Sequence, residues 1–257
     1  MHLRLLELDE FRSFRSLRLE VAPAGFRAVG SNASGKSTLM EAIAMLATTR
    51  SPRTSSEREL ANWEGGVAFG LSPYARLRGE FTRTDGVHSV AIGLAIDEHG
   101  RSGIKKSVQL NDQPARAIDV VGQFKTVLFS PDDVELLSGP PGGRRRFLDL
   151  AISQARRTYL RGLSRFTRVL EQRNGLLRSL AREAGSAAVR RASQELPFWD
   201  SELISAATIV LSERAMYVAG LDALAREHFA RLTGIETLEI AYQPHRLTAI
   251  DRMPTVG

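Results

Sequence analysis

The chain has 257 residues, 43% of them hydrophobic and 25% charged, with no cysteine and a formal net charge of +6. This is the composition of an ordinary globular protein able to bury one large core or two smaller lobes. The lack of thiols excludes disulfides, thiol catalysis and cysteine-ligated zinc or iron–sulfur centres, and the five histidines are scattered without ligand spacing.

Met1 leads straight into the alternating residues Leu3, Leu5 and Leu8, with no signal peptide and no apolar run approaching a membrane span. A cytoplasmic protein with no membrane partner is expected. The alternation through Leu3 to Leu8, and again through Leu17 to Val21, predicts two half-buried strands. Phe26 to Val29 predicts a third, which feeds the run Gly-Ser-Asn-Ala-Ser-Gly-Lys-Ser from Gly30 to Ser37. Leu39, Ala42, Ile43 and Leu46 then form one helical face. Thr48 to Gly66 is irregular.

Ala75 to Arg83 and Val87 to Asp97 flank Thr84-Asp85-Gly86, a tight turn, and predict an antiparallel hairpin, to which Lys105 to Leu110 adds a strand. Phe124 to Phe129 reads as a short apolar strand. Ser130-Pro131-Asp132-Asp133 supplies an N-cap, a first-turn proline and acids for the positive end of a helix. From Gly143 almost to Gly234 apolar residues keep three- and four-residue spacing, predicting two long amphipathic stretches that fold back as a hairpin across Ala184-Gly185-Ser186. Pro197 should interrupt the second. Thr237 to Tyr242 predicts a last strand. The expected organisation is a nucleotide-binding lobe with a β subdomain over 1–139, a helical lobe over 140–234, and the start of a return to the first lobe over 235–257.

Gly30 to Ser37 completes the pattern G-x-x-x-x-G-K-[ST], in the strand-loop-helix setting its chemistry requires. Gly30 and Gly35 allow turns that a Cβ would obstruct, so that the loop through Ser31, Asn32, Ala33 and Ser34 can aim successive N–H groups at a triphosphate. The helix beginning near Lys36 adds its unpaired N–H groups and positive dipole end. Lys36 should reach the β- and γ-phosphates, Ser37 should ligate Mg²⁺, and Thr38 should bond the α-phosphate.

Hydrolysis also needs an acid at the end of an apolar strand. Asp97 and Glu98 follow such a strand, but as the second arm of a hairpin it would be antiparallel to its neighbour, so they read as surface turn residues. Asp132 and Asp133 are displaced into a helix cap, and Leu137 to Gly142 reads as a plain loop. Charge points elsewhere. Between Pro140 and Glu195 thirteen arginines stand against four acids. A basic helical segment joined to a nucleotide-binding lobe predicts a polyanion partner, nucleic acid above all. Arg161, Arg165 and Arg168 recur with Arg157 at helical spacing and are the candidate phosphate contacts, while Arg144 to Arg146 sit at the helix start.

Glu10-Phe11-Arg12-Ser13-Phe14, the phosphate loop, Arg50-Ser51-Pro52-Arg53-Thr54, Val127 to Asp133, and Arg144-Arg145-Arg146-Phe147-Leu148-Asp149 follow one another in an order that resembles the RecF family. The likeness continues through Gln172-Arg173-Asn174 and Trp199-Asp200. It implies an α/β fold, a P-loop ABC-type ATPase head with an antiparallel β subdomain and a helical lobe, incomplete at the C-terminus. It further implies binding of ATP and Mg²⁺ by Gly30, Asn32, Gly35, Lys36, Ser37 and Thr38, with Arg12 near the nucleotide. DNA gaps, RecO and RecR would be the partners, and loading of RecA on SSB-coated strands the task. The family dimerises around ATP. Its signature motif, strand-end acids and switch histidine would fall beyond residue 257, so this chain is expected to be a truncated member that hydrolyses little ATP and stays monomeric. Two rival readings are an SMC-like or overcoming-lysogenization-type ATPase, and a stand-alone nucleotide kinase or GTPase with Asp97 and Glu98 on a core strand.

Overall fold

A computed structural model describes residues 1–62, 72–96, 103–183, 185–234 and 238–244. The chain falls into two compact units, Met1–Arg157 and Thr158–Gly257. The first is built on a six-stranded antiparallel sheet in the order β2-β1-β3-β4-β5-β6. Its strands are β1 (His2–Phe11), β2 (Phe14–Glu20), β3 (Tyr74–Arg83), β4 (Gly86–Ile96), β5 (Ile104–Leu110) and β6 (Gln113–Pro114).

Strict alternation would put Leu3 and Leu5 on one face of β1, yet it is Leu3, Leu6 and Leu8 that share the core. The register against β3 shifts between Leu3 and Leu5, and this irregularity turns the even positions inward. Glu10, at φ 48°, changes the parity again and delivers Phe11 to the core. The expected hairpin is present, with Arg83 paired to Gly86. Strand β4 has antiparallel neighbours on both sides, so it is no parallel core strand, and the kinase or GTPase reading loses its support. Asp97 and Glu98 lie outside the described residues.

Helix α1 (Lys36–Thr48) lies on the sheet and buries Ala42, Met45, Leu46 and Ala47 in the same core as Leu8, Leu77 and Ile92. Gly79 of β3 marks the close approach, since a Cβ there would meet Leu46 Cδ1 at 2.5 Å. Full burial of a side chain such as Leu46 is worth about 2 kcal/mol. The helix ends at Thr49 in the left-handed region, φ 59°. Lys106 Nζ donates to the Thr49 carbonyl at 2.5 Å, placing a cation at the negative end of the dipole.

Two strands expected in this unit are missing. Phe26–Val29 and Phe124–Phe129 carry no strand pairing among the described residues. Apolar composition reports a tendency to be buried, but a strand also needs a neighbour for its N–H and C=O groups. Val29, Val127 and Phe129 remain 81%, 97% and 86% exposed. The next expectation fares better: Pro131–Val134 form a 3₁₀ turn capped by Ser130, whose N–H donates to Asp133 Oδ2 at 2.6 Å. The short helices α2 (Ala117–Val120) and α3 (Glu135–Ser138) and the longer α4 (Pro141–Ala155) complete the unit. Arg156, at φ −134° and ψ 110°, ends α4 and separates it from the helices that follow. The first compact unit runs through this break to Arg157.

From Thr158 on, the second unit is built on a pair of helices, α5 (Arg157–Leu180) and α6 (Ser186–Thr233). Tyr159 accepts a bond from Arg214, Gly162 meets Ile209, and Arg165 pairs with Glu202, so the two run antiparallel. Pro197 lies inside α6 without ending it, although a proline in a helix interior costs about 3 kcal/mol; the contacts of α6 with α5 through Asp200, Glu202 and Arg214 hold the helix on its far side. Residues 238–242 form no strand; Ile240 N–H donates instead to Asp222 Oδ1 at 2.7 Å. The Arg226 guanidinium and this N–H hold the Asp222 carboxyl below its ordinary range. By length and composition alone α6 could cross a membrane, the one such helix among the described residues. In this fold its charged side chains Asp200, Glu202 and Arg214 are engaged by α5.

Candidate functional site

Residues 30–38 form one continuous loop and helix start. Gly35, at φ 94°, is the last residue before α1, and its carbonyl accepts the first bond of the helix from Leu39 N–H at 3.0 Å. No side chain caps this end. The first N–H groups of α1 are therefore left for an external acceptor, and an anion is what the dipole favours there. Ala33 also takes a left-handed conformation, φ 64°, and Ser34 N–H reaches back to Ser31 O at 3.3 Å, which tightens the loop.

Gly35 is required twice over. Its φ disfavours any Cβ, and a Cβ would meet the Phe14 ring at 2.6 Å. Phe14, just past the β1–β2 turn, thus packs on the loop. Gly30 is less constrained; a Cβ there would meet only the Ser34 hydroxyl, at 2.9 Å. Lys36 Nζ donates to the carbonyls of Gly30, at 2.8 Å, and Ser31, at 2.6 Å, so the lysine folds across the mouth of its own loop. Ser37 is exposed on the first turn and Thr38 is buried. A cavity of about 610 Å³ opens beside Lys36 and Ser37, lined on its apolar side by Phe26, Leu39, Met40 and Ile43.

Arg12 stands in the turn before β2, at φ 54°, with its N–H on Leu60 O at 2.8 Å. Its guanidinium forms a bidentate pair with Glu41 of α1, Nε at 2.9 Å and Nη2 at 2.8 Å. Glu41 also accepts from Ser51 Oγ at 2.5 Å and Arg53 Nη1 at 3.3 Å. Arg12, expected near the nucleotide, is placed against the Glu41 carboxylate of α1. Glu41 was legible in principle: a charged residue in step with Thr38, Ala42 and Met45 on the buried face of α1 demands a partner.

The arginines divide. Arg161, Arg165 and Arg168 are exposed on one side of α5, away from the buried Tyr159, Gly162 and Val169. Arg165 is held by Glu202 at 2.6 Å. Arg144 donates to the carbonyls of Leu136 and Gly139, and Arg146 to that of Ser51 at 2.7 Å. Carbonyl partners fix these two arginines without neutralising them.

An AAA domain family matches residues 5–130. The chain is 42% identical over 246 residues to the DNA replication and repair protein RecF of Thermomicrobium roseum, covering 95% of itself and 61% of that protein. It is 42% identical over 240 residues to the protein of the same name from Herpetosiphon aurantiacus, covering 91% of itself and again 61% of the relative. A solved structure of the recombination mediator protein RecF-ATP in the RecFOR pathway is 26% identical, covers 90% of this chain from 58% of its own, and superposes with a TM-score of 0.74. The chain thus spans about three fifths of the length of the curated relatives it matches. Its fold is that of part of an ABC-type ATPase head, an antiparallel sheet with helices.

Proposed function

This chain belongs to the RecF family, and from that premise we propose that it binds ATP and DNA in recombinational repair and replication, acting at single-strand gaps to help load RecA. The observation that carries the reading is the uncapped start of α1 behind the tight loop of Gly30 to Gly35. Backbone N–H groups from Ser31 to Thr38 would cradle the phosphates. Lys36 would exchange its two carbonyl partners for the β- and γ-phosphates, a trade of neutral acceptors for charged ones. The exposed Ser37 hydroxyl fits a Mg²⁺ ligand, and the ion supplies neutralisation of charge between the phosphates when bound.

Weak hydrolysis belongs to the same reading. The Asp133 carboxylate accepts the Ser130 N–H, and Glu41 is enclosed by Arg12, Ser51 and Arg53, so neither acid is available to a nucleophile at the loop. DNA would lie along the exposed arginines of α5, with RecO and RecR as protein partners in the cytoplasm.

Binding of a fluorescent gapped duplex, titrated with and without ATP at two salt concentrations, tests the proposal. The expected result is saturable binding that weakens steeply with salt and responds to ATP in the wild type but not in Lys36→Ala. No binding at low salt, or binding indifferent to ATP in the wild type, would overturn it.

A further inference from the structure

Glu41 is charged, yet its side chain is 0% exposed. Four donors converge on its two oxygens: Arg12 Nε and Nη2, Ser51 Oγ and Arg53 Nη1. The carboxylate is therefore saturated. Ser51 extends the cluster in two directions. Its hydroxyl accepts the N–H groups of Arg53, at 3.0 Å, and Thr54, at 3.1 Å, which shapes the segment after α1. Its carbonyl accepts Arg146 Nη2 of α4 at 2.7 Å.

One buried carboxylate thus joins α1 to the β1–β2 turn, to residues 51–54 and, through Ser51, to α4. Burying a carboxylate costs several kcal/mol before its partners repay it, and a well-packed apolar side chain would serve stability as well or better. What the ionic hub adds is fixed geometry. Glu41 lies one helical turn beyond Ser37, on the same helix whose first turn begins at Lys36.

We propose that Glu41 is a positioning residue for the nucleotide loop, which passes the grip of Arg146 on the Ser51 carbonyl to α1, so that nucleotide affinity depends on α4. The inference rests on the reading of Gly30 to Thr38 as a nucleotide site and adds a long-range determinant to it. None of the residues it invokes outside α1 belongs to the loop.

The test is a double-mutant cycle read as affinity for a fluorescent ATP analogue, with circular dichroism to confirm that each protein is folded at the assay temperature. Arg146→Met removes the donor while keeping an apolar stem, and should weaken binding by about twofold to thirtyfold. Arg146→Lys should recover part of the loss, since an ammonium can still donate to the Ser51 carbonyl. In a Glu41→Gln background Arg146→Met should have no further effect, because the relay is already broken. Wild-type affinity in folded Arg146→Met, or losses that multiply independently in the double variant, would overturn the positioning role alone. Wild-type affinity in Lys36→Ala would instead remove the nucleotide reading, and this inference with it.

Discussion

The phosphate loop and the arginine face of α5, the two places proposed to meet phosphate, are built in opposite ways. In the loop the chemistry resides in the backbone: Gly35 at φ 94°, Ala33 at φ 64° and an uncapped helix end, all within consecutive residues. On α5 it resides in side chains whose availability is decided far away in sequence, as when Glu202 engages Arg165. The first kind of site is intolerant of single changes. The second distributes its contribution over many residues and degrades gradually.

The largest effect should follow from breaking the loop backbone. Gly35→Ala places a Cβ against Phe14 and forces a left-handed alanine, a strain of about 1–3 kcal/mol. Thermal denaturation should register that loss, and binding of a fluorescent ATP analogue should disappear. Gly30→Ala is the control, because its Cβ meets only a side-chain hydroxyl that can turn away. Equal damage from the two would show that the φ of Gly35 and its contact with Phe14 do not set the site.

A smaller effect is expected on α5. Arg161→Glu with Arg168→Glu should lower the salt slope of DNA binding by about 2, one unit per lost phosphate contact. Arg165→Glu alone should do less, since Glu202 already holds that guanidinium. Fluorescence anisotropy at several salt concentrations measures both. An Arg165→Glu effect matching that of the pair would mean that DNA competes successfully with Glu202.

The same contrast explains what the sequence disclosed. The loop was legible because its residue types and its geometry are the same information. The hairpin of β3 and β4 was legible for that reason too, through Thr84-Asp85-Gly86. Phe26–Val29 and Phe124–Phe129 misled, because apolar character does not state whether a pairing strand exists. The bulged register of β1 was invisible, since both Leu5 and Leu6 are apolar and either parity satisfies the pattern. A charge at Glu41 on the buried face of α1 announces a partner in the sequence; only the fold says that the partners are Arg12 and Arg53, with Arg146 behind Ser51.

The central claim is that residues 30–38 bind a nucleoside triphosphate through Lys36 and the start of α1. Titration of the purified chain with a fluorescent ATP analogue and Mg²⁺, wild type beside Lys36→Ala, tests it directly. Loss of two charge-assisted contacts should weaken binding by at least about 100-fold, with the fold intact by circular dichroism. A wild-type chain that does not bind, or a Lys36→Ala chain that binds equally well, would contradict the account.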